Sequence, residues 1–598
     1  MTDYDVVIAG AGPVGAILAR RLTRAGVSVL VLEAGAATGA TWEGYQGNVL
    51  THQSAIAKVP NSPWPDSPFA PEPSVLDIAK IPPGGVDANH YLVQAGPMPF
   101  GSDYTKTSGG TTMHWLGTSL RMVPADFELR SRYGQGVDWP LSYDDLEPYY
   151  RQAELELGIA ANVEDQRYLG IWFPDDYVYP MFRIPPSFSD QVFAAQLDGY
   201  TISLDGTTCA LQVTSTPQGR NSMPNPAYDG GRGYEPLGAV GNPHRGLRCE
   251  GNASCIPICP VQAKYNALKT LAAAAAERMD LVTQAVVSKV LLTSDAKRVS
   301  GLVYQTYDGS GPGSTPVTVT ADVYVLATSA IENAKILLAS NAANSSGQVG
   351  LNLMDHPFVM TWALMGENIG AYRGPGSTSG IEILRDGAFR KDRAAFRVEL
   401  ANWGWDFPAF GPYLQLEEAV AGGAFGPRLR QQMAEDVPRQ IRFGFVTEQL
   451  PSPANRVEIS NAWTDALGNP RPVIHYQLDD YVLKSFKAAR QLSSQAFSRL
   501  GAIEMTSYSP LSPTWITYDG QGYSWNGAGH VMGTHRMWDR ADQGVVDPDQ
   551  RSFDHDNLFV AGGGSMPTSS AANPTLTIAA LACRTADRIT ADLGRKAS

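Results

Sequence analysis

The feature that most constrains the fold of this chain is a glycine motif, Gly10-Ala-Gly-Pro-Val-Gly15, close to its first residue. An apolar strand pattern at residues 5–9 precedes the motif, and a helical pattern follows it. Gly10 permits a tight turn, Gly12 lets the backbone approach a pyrophosphate, and Gly15 lets the helix pack closely on the strand. The order strand, glycine turn, helix therefore predicts a dinucleotide site.

The helix and strand after the motif support that prediction. The helix that starts near Pro13 directs free N–H groups and the positive end of its dipole towards phosphates. A second strand, residues 27–33, ends at Glu33, where a carboxylate can accept both ribose hydroxyls. Because an acid at this position repels a 2′-phosphate, NADP is not expected.

Length and charge limit the classes of function. At 598 residues the chain is too long for one ordinary domain, so two or more are expected. The net charge of −13 disfavours nucleic acid and anionic membranes as partners and is compatible with a cationic substrate. No apolar run is long enough for a transmembrane segment, and a strand that begins by residue 5 leaves no room for a signal peptide. We expect a cytoplasmic protein, or one exported folded with a partner subunit.

The element pattern changes along the chain. A strand and helix at residues 322–335 extend the predicted parallel sheet. Between residues 357 and 519, strand-like runs with aromatic residues dominate, among them 440–446 and 473–477. This predicts an α/β fold (α+β overall), in which a mainly β domain is inserted into a Rossmann-like domain. The proline-rich residues 52–100 are either a lid over the site or a surface excursion.

Four further motifs carry a family resemblance. They are Thr107-Ser-Gly-Gly-Thr-Thr-Met-His-Trp115, Asn352-Leu-Met-Asp-His-Pro357, His530-Val-Met-Gly-Thr534 and Asn573-Pro-Thr575. Together with the glycine motif, they make the chain resemble the glucose–methanol–choline (GMC) oxidoreductases, FAD enzymes that oxidise alcohols, over nearly its whole length. The most similar branches are the pyranose 2-oxidases and the catalytic subunits of bacterial FAD glucose dehydrogenases and glucoside 3-dehydrogenases. Both branches oxidise sugar hydroxyls.

The resemblance implies the two-domain GMC fold. We expect the FAD-binding domain to comprise residues 1–165, 245–356 and 520–598, and the substrate-binding domain to comprise residues 166–244 and 357–519. Aromatic side chains of the second domain and its boundary either stack on a sugar face or belong to the core. The candidates are Trp403, Trp405 and Trp525.

A histidine and an asparagine near the C-terminus are the predicted catalytic pair. Moving a hydride from a carbinol carbon to a flavin requires a base for the hydroxyl proton, and a neutral imidazole suits that task near neutral pH. The resemblance assigns the base to His530 and the orientation of the alcohol to Asn573. His535 is the alternative base if that register is shifted.

The resemblance also implies which residues hold FAD. His114 lies in the loop expected against the flavin, and family members differ in whether the corresponding histidine is covalently bound to it. The sequence leaves that link open. Gly562 stands where the family commonly has an aspartate, so one phosphate-side contact is in question. The expected FAD contacts are Gly10, Gly12, Gly15, Glu33, Gly110, Thr111, His114, Val287, Gly563 and Thr575.

One apolar residue and a group of cysteines bear on the electron acceptor. Pyranose 2-oxidases have a threonine at the position of Leu116, where a hydroxyl can support a flavin–peroxide adduct, so leucine favours a dehydrogenase. The run Cys249-x5-Cys255-x3-Cys259 is one thiolate short of a four-cysteine site, and Cys209 is a distant fourth candidate. The run is similar to the dehydrogenase branch, where three cysteines hold a [3Fe–4S] cluster. A structural loop is the alternative.

These features predict an FAD-dependent sugar or glycoside dehydrogenase. Electrons would leave through the iron–sulfur cluster to a quinone or cytochrome, and a small partner subunit would carry the export signal. One alternative is an oxidase that uses O2 and forms hydrogen peroxide, and another is an enzyme that oxidises a primary hydroxyl of an aminoglycoside precursor. An alternative of a different class is a non-catalytic flavoprotein, which the presence of both His530 and Asn573 disfavours.

Overall fold

The computed structural model describes residues 3–56, 59–64, 66–78, 86–238, 246–251, 256–275, 278–313, 315–402 and 412–595. Two main sheets organise these residues, one parallel and one antiparallel. Within the described ranges, no helix has both the length and the apolar character needed to cross a membrane.

The parallel sheet, called the nucleotide sheet below, contains strands from both ends of the chain. The strand predicted before the glycine motif is its central strand, and the strand predicted to end at Glu33 is the neighbour of that strand, so both predictions are confirmed. Val6 to Ala9 are all fully buried, as expected for a strand with both faces covered. The spatial order is Leu558–Val560, Ala321–Leu326, Tyr4–Ala9, Val29–Leu32 and Met279–Val282.

The helix Pro13–Arg24 packs on this sheet through one glycine. A Cβ atom at Gly15 would lie 1.9 Å from the carbonyl oxygen of Gly10, so no larger residue fits unless the helix moves. The helix packs in turn against Ala267–Ala275 and Thr575–Asp592. The C-terminal helix is therefore part of the same domain core as the N-terminal motif.

The antiparallel sheet, called the inserted sheet below, is formed mostly by strands from residues 357–519, where a mainly β domain was expected. The same stretch also contains three α-helices, Pro412–Ala421, Gly426–Asp436 and Asp480–Arg499, so it combines helix and sheet. The helix Asp480–Arg499 covers one of its faces, and buried side chains of the helix share a core with Phe443 and Phe445. The sheet order is Ile503–Glu504, Pro357–Leu364, Gln440–Thr447, Phe396–Leu400, Ser379–Ile381 and Val213–Ser215, with Asn526–Gly527 also paired to Pro357–Leu364.

The remaining elements are shorter sheets and further helices. The strand-like run at 473–477 lies mostly in Pro470–His475, which pairs with Arg456–Thr464 and Val93–Gln94 rather than with the inserted sheet. The other strands are Thr201–Leu204, Thr207–Ala210, Ala285–Leu292, Val299–Asp308, Gly311–Pro312, Val317–Val319, Trp515–Tyr518 and Gln521–Ser524. The other α-helices are Trp42–Ser54, Val75–Ile78, Leu129–Tyr133, Tyr143–Leu157, Phe188–Leu197, Tyr228–Gly231, Ala330–Ser340, Pro412–Ala421 and Gly426–Asp436.

Candidate active site

A groove with about 1310 Å³ of empty space runs along the carboxyl ends of the nucleotide-sheet strands. Its lining includes Gly10 after the first strand, Glu33 after the second, Ala327 after the strand Ala321–Leu326 and Gly562 after the last strand. Ligands of parallel α/β sheets bind at this edge, because the loops there open around the strand ends. The groove therefore lies where the glycine motif predicted a dinucleotide.

Glu33 is buried at the floor of this groove. Its two carboxylate oxygens accept hydrogen bonds from the N–H groups of Ala11 and Gly35, both at 2.8 Å. Burial raises the pKa of Glu33 to about 7, against the lowering effect of these two donors. Each carboxylate oxygen keeps a second lone pair, so the side chain can still accept a ribose hydroxyl.

The backbone around the groove fits FAD. A Cβ atom at Gly12 would meet a single described neighbour within 4 Å, Gly110 Cα at 4.0 Å, so the glycine leaves backbone open to a phosphate. The helix Thr575–Asp592 begins at the groove, and its positive dipole end suits an anionic ring or phosphate. Gly562 has a φ of 107°. An aspartate at that position would be strained.

Most of the expected FAD contacts lie on the wall of the groove. Gly15 does not, because it serves the packing of the helix on the strand. His114 is buried behind the wall, and its Nε2 atom has no hydrogen-bond partner among the described residues. Burial, followed by the charge of Lys264, lowers the pKa of His114 to about 3. The groove-lining contacts are Gly10, Gly12, Glu33, Gly110, Thr111, Val287, Gly563 and Thr575.

His530 and Asn573 meet at the groove. His530 lies on its wall, and its Nε2 atom is 3.3 Å from the side-chain nitrogen of Asn573. Asn573 precedes Pro574, which holds it just outside the first turn of the helix Thr575–Asp592. Burial, followed by His356 and Arg397, lowers the pKa of His530 well below its usual value, so the ring is neutral near pH 7. A neutral imidazole and an amide that converge at one edge of the groove can bind a single hydroxyl group.

A buried arginine from the inserted sheet fixes the amide. Arg397, on the strand Phe396–Leu400, donates from Nη1 to Oδ1 of Asn573 at 3.1 Å. Its charge is balanced by Glu382 at 3.1 Å and Glu399 at 3.6 Å. Because the arginine can only donate, the amide nitrogen of Asn573 is the atom that faces His530. The inserted sheet thus takes part in positioning the predicted catalytic pair.

An aspartate and a second histidine lie behind His530. Oδ1 of Asp355 accepts the backbone N–H of His530 at 2.9 Å and that of His356 at 2.6 Å. His356 in turn contacts the ring of His530 at 2.7 Å, between the two Nδ1 atoms. One carboxylate therefore holds the backbones of both histidines.

The alternative base, His535, does not line the groove. Its ring is fully buried beneath Gly564, where a Cβ atom would lie 2.1 Å from Nε2. The same Nε2 is 3.2 Å from the side-chain nitrogen of Asn333. His535 therefore supports the turn that contains Gly563 and Gly564, and the geometry favours the register that places His530 at the groove.

The loop that contains His114 contacts the segment that follows the cysteine run. The indole N–H of Trp115 donates to the carbonyl oxygen of Tyr265 at 2.8 Å, and the N–H of Ala267 donates to Thr112 Oγ1 at 2.9 Å. Leu116 belongs to an apolar cluster with Ile256, which lies within the cysteine run. The same cluster includes Met360, Phe358 and Ala401.

The structure describes only part of the predicted metal site. Cys255 lies outside the described residues, and within the described part of the chain no three His, Cys, Asp or Glu side chains are grouped to hold a metal ion. Cys249 is partly buried against Met181 and Ile184. Cys259 is partly buried, and its carbonyl oxygen accepts the Tyr45 hydroxyl at 2.7 Å. Cys209 packs against the core of the inserted sheet and belongs to neither neighbourhood.

The aromatic candidates divide into two groups. Trp525 is almost fully buried, with its ring 5.7 Å from that of Tyr476, so it belongs to the core. Trp403 and Trp405 lie outside the described residues.

Sequence reasoning did not assign a role to three residues beside the catalytic pair. Asp355 and His356 lie within a motif that supported the family resemblance, and that motif was the available signal. Arg397 lies in a strand without any motif, and only the three-dimensional arrangement brings it to Asn573.

The fold and the groove define an FAD-dependent oxidoreductase. Family models agree: an FAD binding domain matches residues 3–54, and the two GMC oxidoreductase models match residues 103–358 and 451–582. The chain belongs to the GMC oxidoreductase family, whose members act on alcohol- and sugar-type CH–OH groups.

Relatives and solved structures of known identity match nearly the whole chain. The chain is 33% identical to the fructose dehydrogenase large subunit of Gluconobacter japonicus, over 98% of each chain. It is 25% identical to paromamine 6'-oxidase of Streptomyces fradiae, over 99% of this chain and 92% of that protein. The crystal structure of pyridoxine 4-oxidase from Mesorbium loti has a TM-score of 0.59 at 17% identity, over 98% of this chain and 99% of that one, and shares the fold.

Proposed function

We propose that this protein is a sugar or glycoside dehydrogenase that oxidises a hydroxyl to a carbonyl, with His530 as the base and Asn573 orienting the alcohol. The observation that carries the proposal is the 3.3 Å approach of His530 Nε2 to the Asn573 amide at the wall of the FAD groove. FAD, when bound, supplies a hydride acceptor.

The neutral state of His530 suits it to act as a base. Burial and the neighbouring Arg397 both disfavour the protonated ring and lower its pKa. The Nε2 lone pair, towards which the Asn573 amide points, can therefore take the hydroxyl proton as the carbinol hydrogen leaves. The Asn573 N–H donor is fixed before substrate arrives, because Arg397 holds the other end of the amide. A fixed donor beside a developing alkoxide lowers the barrier without reorganisation.

The substrate class in this proposal rests on the relatives. A fructose dehydrogenase large subunit is 33% identical over nearly the full length, which supports a sugar or glycoside. The paromamine 6'-oxidase relative, at 25% identity, supports the second candidate, oxidation of a primary hydroxyl of an aminoglycoside precursor with O2 as acceptor.

We further propose that electrons leave through a [3Fe–4S] cluster held by Cys249, Cys255 and Cys259. Thiolates suit iron–sulfur clusters. Ile256 of the cysteine run and Leu116 of the loop beside the proposed flavin site belong to the same apolar cluster, so the two centres would be neighbours. A quinone or cytochrome would be the final acceptor. That a relative is named a large subunit supports assembly with a smaller partner, which would carry an export signal.

Anaerobic reduction of the bound flavin tests the base assignment. His530→Ala should slow flavin reduction by at least about 10²-fold while FAD stays bound, because no other described group takes the proton at that point. The matched control is His475→Ala, since His475 is a partly exposed histidine that contacts Glu458 on the small sheet. Wild-type reduction rates in His530→Ala would disprove the assignment.

A substrate panel completes the test. Sugars, glycosides and aminoglycosides are added in turn without oxygen, and flavin bleaching is followed. Oxygen is then readmitted. A dehydrogenase stays bleached until a quinone or cytochrome is added, whereas rapid recovery with peroxide formation would identify an oxidase.

A further inference from the structure

His356 lies directly behind the proposed base, and both of its ring nitrogens are engaged. The rings of His356 and His530 meet edge to face, with 4.9 Å between centroids. Nδ1 of His356 is 2.7 Å from Nδ1 of His530. Nε2 of His356 is 2.9 Å from the carbonyl oxygen of Ser570 and 3.3 Å from that of Ser569.

The hydrogen positions in this series of contacts follow from its last member. A backbone carbonyl can only accept, so Nε2 of His356 carries a hydrogen. Nδ1 of the neutral ring is then an acceptor, and the hydrogen in the 2.7 Å contact belongs to Nδ1 of His530. Nε2 of His530 is left with a lone pair, and this is the atom that faces the groove and Asn573.

The contacts at the opposite end of the series independently place the hydrogen of His530 on Nδ1. Arg397 has only donors, so it fixes Oδ1 of Asn573 as an acceptor. The Nδ2 group of Asn573 then donates towards His530, where it requires an unprotonated Nε2. If the hydrogen of His530 were on Nε2, it would face the N–H of Asn573. The lone pair on Nδ1 of His530 would then face the lone pair on Nδ1 of His356.

We propose that His356 is a positioning residue that holds His530 in the Nδ1–H tautomer, so that Nε2 is always available to take the substrate proton. The proposal deepens the proposed function and rests on His530 being the base. The anchor of the arrangement is the Ser570 carbonyl oxygen, a backbone atom that cannot change its hydrogen-bonding role.

The surroundings keep His356 in the state that this role requires. Burial lowers the pKa of His356 to about 4, and the nearby charge of Arg397 also disfavours a second proton. The carboxylate on the same segment, Asp355, contacts the backbone N–H groups of both histidines. His356 is therefore neutral at pH 7 and presents a lone pair to His530.

The contact between the Nδ1 atoms of His356 and His530 also stabilises the imidazolium that proton transfer produces. The proton leaves the substrate oxygen for Nε2 of His530, which becomes an imidazolium with a hydrogen on each nitrogen. Its Nδ1–H continues to donate to His356, whose own hydrogen stays on the Ser570 carbonyl. His356 thus accepts the Nδ1–H of the imidazolium without taking a proton itself.

Three substitutions at position 356 separate this role from a structural one. His356→Leu removes the acceptor, and flavin reduction should slow by about 10²-fold with little change in substrate Kd. His356→Asn keeps a neutral acceptor oxygen near the place of Nδ1 and should recover most of the rate. His356→Asp offers a charged acceptor, which favours the imidazolium and should move the acidic limb of the reduction rate to higher pH than in His356→Asn.

Stopped-flow reduction from pH 5 to 9 checks these outcomes, with FAD content and thermal melting measured on each variant. Equal rates in the Leu and Asn variants, or equal pH limbs in the Asn and Asp variants, would overturn the proposal. If His356→Leu does not fold, the Asn and Asp comparison still decides. His530→Ala separates the two failures: if it reduces flavin normally, the base assignment itself is wrong, whatever the variants at position 356 do.

Discussion

The glycine turn and the proposed catalytic pair, His530 and Asn573, lie along the same groove but are built in different ways. The turn is one continuous stretch from Gly10 to Glu33, and its contacts come from backbone atoms and one carboxylate. The catalytic pair depends on side chains from separate segments, with His356 behind His530 and Arg397 behind Asn573. The cofactor end therefore depends on local backbone geometry, whereas the catalytic end depends on how the two sheets are assembled.

The first consequence is that one added methyl group, at Gly15, should abolish FAD binding. Gly15→Ala places a Cβ atom 1.9 Å from the carbonyl oxygen of Gly10, within a helix that cannot move without separating from the sheet. We expect destabilisation by about 3 kcal/mol or more and loss of FAD, seen as colourless or insoluble protein.

The control for this substitution is Gly47→Ala. Gly47 is an exposed helical glycine, and a Cβ atom there would meet nothing within 4 Å. The same methyl group should leave FAD content unchanged and raise stability by about 0.5 to 1 kcal/mol. A folded, FAD-loaded Gly15→Ala protein would show that the turn is less constrained than its backbone contacts indicate.

The difference between the two ends also explains what the sequence could predict. The strand, turn and second strand follow from local periodicity and glycine spacing, and they lie where predicted. His530 and Asn573 could be proposed from the sequence because each lies in a short motif. Arg397 has no such signal: it lies in a strand of the inserted sheet, and its contact with Asn573 is set by tertiary packing.

Other sequence patterns indicated an element or a family but not its partners in the fold. The apolar alternation of residues 473–477 indicates a strand but not its partners, and that strand pairs with Val93–Gln94 from a distant part of the chain. Similarly, the motif that contains Asp355 and His356 indicated the family but not the two contacts with His530, because those contacts join residues 175 and 174 positions apart in the chain.

The catalytic end should respond to the side chain behind the amide. Arg397→Met frees the Asn573 amide to rotate and removes the buried positive charge, so flavin reduction by substrate should fall by about 10-fold to 100-fold with FAD still bound. Loss of the partner of Glu382 should also lower stability, which thermal melting measures.

Arg393→Met is the matched control for this variant. Arg393 is similarly buried and pairs with Asp205, and its described contacts do not include Asn573. It should lose stability and keep its rate of flavin reduction. If the rate of flavin reduction falls equally in both variants, Arg397 acts through the fold of the inserted sheet. The claim that Arg397 positions Asn573 would then be wrong.

The smallest expected effect on the chemical step comes from the cysteine run. If a [3Fe–4S] cluster is present, anaerobically purified protein should contain about three irons per flavin and give an EPR signal when oxidised. Cys259→Ser should remove the iron and the turnover with external acceptors, yet leave flavin reduction by substrate unchanged, because neither end of the groove uses that side chain.

The control is Cys209→Ser, which should keep both iron and turnover, since Cys209 packs against the inserted sheet. Iron-free protein with full acceptor turnover would rule out the cluster and leave electrons to pass directly from the groove to the acceptor.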